Sequence, residues 1–173
     1  MQENGKGDQK SPATGVRFAG ETPQTQPDPV SRREAAIALG TIHDDSAILA
    51  LAQALHDPVK EVRAAAAAGL ASAGRPAIGA LTEALADGNW VVRYRAAEAL
   101  GFIRDERSVA ALIRALEDRR DHVRYMAAKG LGRLGDRRAG GPLSAALADG
   151  NEFVRRAAGE ALASIGEKTA ADS

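Results

Sequence analysis

The stretch Val92-Arg93-Tyr94-Arg95-Ala96-Ala97-Glu98-Ala99-Leu100-Gly101 decides how this chain is read, because it returns. Val62-Arg63 opens one relative that ends at Leu70. Val123-Arg124 opens another, running through Ala127-Ala128 to Leu131-Gly132, and Val154-Arg155 opens a third that ends at Leu162. A worn copy spans Arg32 to Leu39-Gly40. The arginines at 32, 63, 93, 124 and 155 stand 31, 30, 31 and 31 residues apart. A fixed period of this size marks stacked supersecondary units, none of which can cover its apolar face alone.

Within the copies, apolar residues recur at helical spacing. In the copy around Arg93 they are Val92, Ala96, Ala99, Leu100 and Ile103, one stripe with a period near 3.6. Asp57 before Pro58, then Asn89, Asp121 and Asn151 are expected to cap the starts of these motif helices. Gly74, Gly135 and Gly166 are expected to end them. Between motif helices lies a second helix type with leucines four apart on one face: Leu51/Leu55, Leu81/Leu85, Leu112/Leu116 and Leu143/Leu147. Pro142, after Gly140 and Gly141, predicts a late or irregular start for the last of these. The expected fold is all-α: a right-handed α-solenoid of stacked helix pairs, with five motif helices and four leucine-pair helices. Small residues such as Ala96, Ala97 and Gly101 let backbones approach, which explains an apolar content rich in Ala and Leu and poor in aromatics.

The repeat domain is expected over 29–166, in units near 29–57, 58–87, 88–118, 119–149 and 150–166. A disordered tail of low apolar content is expected over 1–28, where Val16-Arg17-Phe18 is the one short stretch that could act as a binding motif, and a flexible tail over 167–173. The 173 residues carry 23 basic and 23 acidic side chains, so no net charge draws the chain to nucleic acid or an anionic membrane. Absence of cysteine removes disulfides, thiolate zinc sites and cysteine nucleophiles. The N-terminus MQENGKGDQK lacks the apolar core of a signal peptide, and no uncharged apolar run approaches the ~18 residues of a membrane span. A cytoplasmic protein with no membrane partner is expected.

The repeat resembles the short HEAT-like repeats named for phycobilin lyases. The likeness rests on a leucine-pair helix, an Asp, and Val-Arg-x-x-Ala-Ala-x-Ala-Leu-Gly, with Asp57, Asp87, Asp118 and Asp149 each six residues before Arg63, Arg93, Arg124 and Arg155. In the first copy Asp28 lies four before Arg32, so that unit is expected to be shortened or shifted. A carboxylate in the inter-helix turn accepts backbone N–H groups and a guanidinium from its own or the next unit, and four copies of it make a structural Asp/Arg ladder, not a catalytic site. The resemblance further implies that motif helices line the concave surface.

Function must come from where the copies differ. Positions −3, −2, +1, +2, +5 and +9 from each repeat Arg avoid the apolar stripe. The chain has six aromatics; Phe18 lies in the tail and the other five, Trp90, Tyr94, Phe102, Tyr125 and Phe153, all fall at these positions. With Arg95, Glu98, His122, Met126, Lys129, Arg133 and Arg156 they have the composition of a partner-binding patch for a protein or peptide. The competing reading is that Trp90 and Phe153, near helix starts, cover the seam between repeats. The expected function is a non-enzymatic interaction scaffold without cofactor.

Three alternatives are weaker. Bilin lyases carry the same repeat type, which implies that the aromatic and Arg patch could hold a tetrapyrrole. Deoxyhypusine hydroxylase, of related fold, holds iron through His-Glu pairs, and here His43, His56 and His122 precede Asp44, Asp57 and Val123 instead. Nucleic acid is disfavoured because Arg119, Arg120, Arg137 and Arg138 are interleaved with acids such as Asp118, Asp121 and Asp136. Ile37 sits outward on the first motif helix, with no preceding leucine-pair helix to cover it. Weak self-association through the array ends is therefore expected.

Overall fold

The computed structural model describes residues 27–171, with side chains over 27–166; Val16-Arg17-Phe18 lies outside the described residues. Motif helices are α1 (Pro29–Leu39), α3 (Lys60–Ala73), α5 (Trp90–Ile103), α7 (Asp121–Leu134) and α9 (Glu152–Ala171). Leucine-pair helices are α2 (Asp45–Ala54), α4 (Ile78–Ala84), α6 (Val109–Ala115) and α8 (Gly140–Ala146). These nine helices form a right-handed solenoid of two layers. Consecutive motif helices pack on one another, whereas the leucine-pair helices scarcely touch each other. The crowded layer is the inner one, so the motif helices line the concave side.

The core follows the repeat. Val62, Val92, Val123 and Val154 at −1 are buried, as are Ala66, Ala96, Ala127 and Ala158 at +3 and Leu70, Leu100 and Leu131 at +7. From the other layer Leu51, Leu81, Leu112 and Leu143 insert without exposed surface. Leu147 of the last pair is exposed, with no further unit against it among the described residues.

Motif helices meet at a fixed pair of small residues, +8 on one helix and +6 on the next. A Cβ added at Gly40 would lie 2.8 Å from Gly69 Cα, one at Gly101 2.7 Å from Gly130 Cα, and one at Gly132 3.0 Å from Ala161 Cα. At the α3–α5 junction the same positions are Ala71 and Ala99. Two methyl groups hold these helices further apart, and this is the least extensive of the four motif-helix contacts.

The turns carry the ladder. Asp57, Asp87, Asp118 and Asp149 each accept the backbone N–H two residues on, at 2.7–2.8 Å. Asp57 and Asp121 are therefore not the caps expected: Asp57 sits one turn earlier, and Asp121 is the first residue of α7. The guanidinium comes from the preceding unit. Arg93 Nε and Nη2 donate to Asp118 at 2.6 and 2.8 Å, and Arg124 grips Asp149 at 2.7 and 2.8 Å. Arg32 does the same to Asp57 at 2.7 and 3.0 Å, so the first unit is complete in this respect. Its Asp28, expected to lie in the tail, is the N-cap of α1. Nη1 of Arg63, Arg93, Arg124 and Arg155 donates to the carbonyl of the Asp six residues earlier, at 2.6–2.8 Å. Arg93 and Arg124 thus tie their own turn to the next.

One rung is missing. Arg63 donates only to carbonyls, and its buried Nε has no partner. Asp87 instead meets Nε2 of His56 at 2.8 Å. The three intact rungs join residues 25 apart, whereas Arg63 and Asp87 are 24 apart. The lost residue lies in the turn after α3. After α5 and α7 the chain passes through a left-handed residue, Arg104 or Gly135, and then Asp105 or Asp136, which caps a short 3₁₀ turn. After α3 Gly74 alone makes the connection at φ 67°. Pro76 then occupies the position whose N–H the Asp would accept, so nothing is left uncapped.

Two helix ends differ from expectation. Pro142 does not delay α8, which begins at Gly140 in the register of its siblings; a proline in the first helical turn gives up no intrahelical bond. Gly166 does not end α9, which continues to Ala171.

Burial alone would raise the Asp118 carboxyl, but Arg93 and the Arg120 N–H outweigh it and hold it below the usual range. Asp57 and Asp149 are lowered chiefly by Arg32 and Arg124, and Asp105, under Arg107, falls to about 2. These folded-state values lie below the unfolded Asp value of about 3.9. The stabilisation is therefore complete above about pH 4 and drains away as pH falls through the folded values.

Three outcomes follow. Arg93→Ala, which strands the Asp118 carboxylate, should lower stability by about 3 kcal/mol, and Arg63→Ala, with carbonyl partners only, by about 1 kcal/mol; urea denaturation compares them. Asp118→Asn should be less stable at pH 7, yet its urea midpoint should fall less than wild type's between pH 4 and 2. Gly101→Ala should lower the melting temperature by forcing α5 from α7, whereas Gly79→Ala, with no atom within 4 Å of the new Cβ, should raise it through helix propensity.

Candidate partner-binding surface

The positions +1, +5 and +9 of the motif helices form the concave surface, and α5, α7 and α9 make it chemically distinct. Each of the five described aromatics has a cation over its ring. Arg95 lies 5.5 Å from the Tyr94 centroid and Lys129 5.6 Å from that of Tyr125. Arg133 lies 4.1 Å from Phe102, and Arg156 5.4 Å from Phe153. Arg120, in the turn before α7, lies 5.7 Å from Trp90. Cation–π contact of this kind is worth ~0.5–1 kcal/mol when exposed, enough to orient the long cationic side chains over the rings.

Several of these contacts cross repeats. Trp90 tilts against His122 of the next unit at 5.2 Å, which agrees with the seam reading for this residue. Phe102 and Arg133 stand at equivalent positions of α5 and α7, and Phe102 is 57% exposed. Phe153 is also exposed and, with Asp121, His122, Tyr125 and Asn151, borders a recess of about 270 Å³. Tyr94 and Tyr125 are half-buried and rest on the core. Burial first, then the Glu98 carboxylate, push the Tyr94 phenol above its ordinary value, and Tyr125 adds to the shift. Arg95 pairs with Glu98 at 2.7 Å, Arg156 with Glu160 at 3.8 Å and His122 with Asp121 at 2.8 Å.

Met126 departs from expectation. Its side chain is 6% exposed and belongs to the core. Position +2 does not face outward; it points into the groove between its helix and the preceding motif helix. Met126 fills the α5–α7 groove. Ala157, its equivalent on α9, is too short to fill the α7–α9 groove, which remains open at about 450 Å³. Arg95, its equivalent on α5, folds toward Glu98, and the α3–α5 groove stays open at about 480 Å³.

Sequence reasoning missed two contributors. Alanines 64, 67, 68 and 71 of α3, which carry no polar or aromatic group to single them out, are the apolar wall of the α3–α5 groove. Arg104 was overlooked because it follows the motif. It is the one non-glycine with positive φ among the described residues, at 55°, and it borders the α7–α9 groove. The signal for it was an Arg standing where α7 has Gly135.

Among the described residues no group of three His, Cys, Asp or Glu side chains is placed to hold a metal. No described helix is long and apolar enough to cross a membrane.

Solved structures with this architecture include three at low identity. The complex of CpcE and CpcF of phycocyanin lyase from Nostoc matches at 24% identity over 92% of this chain and 72% of that one, with a TM-score of 0.62. Human deoxyhypusine hydroxylase in complex with glycerol matches at 23% over 84% and 71%, TM-score 0.55. A designed armadillo repeat protein in complex with a (KR)4 peptide matches at 18% over 81% and 77%, TM-score 0.53. At these identities the likeness is one of fold. No curated protein matches the sequence. The family model for HEAT repeats matches residues 23–88, 48–125 and 116–173, which together span the array described above, and the chain belongs to the HEAT-repeat family.

Proposed function

We propose that this protein is a non-catalytic scaffold whose concave face holds a segment of a partner protein. The observation that carries this reading is that Tyr94, Tyr125 and Phe102, each with a cation over its ring, stand at the +1 and +9 positions of α5 and α7, with Phe153 exposed at the start of α9. The buried core is built of Val, Ala, Leu and Ile with Met126 and holds no aromatic; Tyr94 and Tyr125 rest against it from outside. Rings and guanidinium groups on an accessible concave surface supply the large contact area and directional bonding that dominate protein interfaces. Two neighbours of the same architecture were solved as complexes, one between two proteins and one with a peptide, in keeping with a protein partner. A cytoplasmic setting suits a sequence without cysteine.

Tyr94→Ala combined with Tyr125→Ala should fold with an unchanged circular dichroism spectrum and lose a partner that wild type retains in affinity purification from native cells. Retention of every partner by the folded double variant would overturn the reading. Linear tetrapyrrole should leave its own absorbance unchanged on mixing with wild type; a shifted band would favour a bilin-handling protein instead.

A further inference from the structure

The two open grooves lie at the same register of the repeat, two motif helices apart, and their chemistry is opposite. Between α3 and α5 the walls are Ala64, Ala67, Ala68, Ala71 and Phe102, and the one charged pair present, Arg95 with Glu98, is closed on itself. Between α7 and α9 the +5 and +9 positions are Lys129 and Arg133, and Arg104 joins them from the end of α5. None of these three cations forms an ion pair among the described residues. The Arg133 side chain leans back over α5, where its guanidinium stacks on Phe102 and its unpartnered Nη1 lies near Gly101, so it borders this groove from the α5 side. The one acid at this groove, Glu160, is engaged by Arg156. In a chain of zero net charge, this is a local excess of three positive charges beside an apolar slot.

Arg104 strengthens the assignment. A non-glycine held in the left-handed region is strained, and such strain persists where the side chain serves a purpose. At the corresponding place after α7 the chain uses Gly135 without strain. Arg104 forgoes that relief and delivers a guanidinium to the groove.

We propose that the partner segment is acidic and amphipathic, with an apolar side chain seated between α3 and α5 and carboxylates held between α7 and α9 by Arg104, Lys129 and Arg133. This rests on the concave-face reading above and names its ligand chemistry. Motif helices pack ~9 Å apart, so the grooves are about 18 Å apart. An extended strand advances ~3.3 Å per residue, so apolar side chain and carboxylates should be separated by about six residues. The segment would cross the filled α5–α7 groove, where Arg133 stacked on Phe102 offers a flat polar bridge. A nucleic acid fits less well: a phosphate backbone is held by many cations along its length, and the alanine-walled slot would contribute little.

The test uses the full chain and fluorescein-labelled synthetic peptides read by anisotropy. One peptide places a leucine six residues before three glutamates on a Gly/Ser background, a second shortens the spacing to two residues, and a third replaces the glutamates by lysines. A single-stranded oligonucleotide is the fourth probe. The first peptide should bind, and weaken at least about tenfold when salt is raised from 50 to 500 mM. Lys129→Glu should abolish its binding, and Arg104→Gly should weaken binding while raising the melting temperature. Absence of binding, equal binding of the short-spaced or lysine peptide, or tighter binding of the oligonucleotide overturns the proposal. A native partner that is lost with the Tyr94/Tyr125 double variant yet kept by both Lys129→Glu and Arg104→Gly would overturn the acidic assignment and leave the concave face as the binding surface.

Discussion

The bidentate grip of Arg93 on Asp118 is the constraint on which the array depends. It does three things at once. It neutralises a carboxylate that already holds the backbone of its turn. Through Nη1 it also ties down the carbonyl of the preceding turn. And it works only at a separation of 25 residues, so it measures the length of the three units that carry it. An ion pair so little exposed gains its value from geometry more than from charge, because removal from water offsets much of the attraction. Its repetition at Arg32 and Arg124 makes the turns, not the helices, the part of each unit that is held to one shape.

Most of the architecture was legible in the sequence, and the reason is redundancy. Val at −1, Ala at +3 and Leu at +7 occur in four copies, so chance departures in one copy cannot hide the pattern. The Asp six residues before each Arg was equally visible, but its true partner was not. The sequence distance within a unit is six, whereas the bond runs to the next unit, and only stacked coordinates bring Arg93 to Asp118. Helix ends were read less well. Pro142 and Gly166 carry strong local preferences, yet α8 starts before the one and α9 runs through the other, because helical context overrides a single residue's preference.

The surface was less legible than the core. A helical wheel sorts positions into facing and not facing one partner layer. The inner face of a solenoid has a third class, residues that lean into the furrow between helices of the same layer. Met126, Arg95 and Ala157 occupy that class, and their different sizes decide which furrows are filled. Alanines of α3 form the wall of one groove, and an arginine beyond the motif borders the other. Such features arise between repeats, where single-sequence periodicity has no register.

The missing residue after α3 has a mechanical meaning. Every other joint between motif helices has an arginine clamp, a glycine crossing, or both, while α3 and α5 have neither. There the two turns are tied by the His56–Asp87 contact instead, so the joint beside the apolar slot is held by a different and more exposed link than the others. A side chain wedged there would change the pitch of the whole superhelix, and the protein would report occupancy of one furrow as a change of its overall curvature.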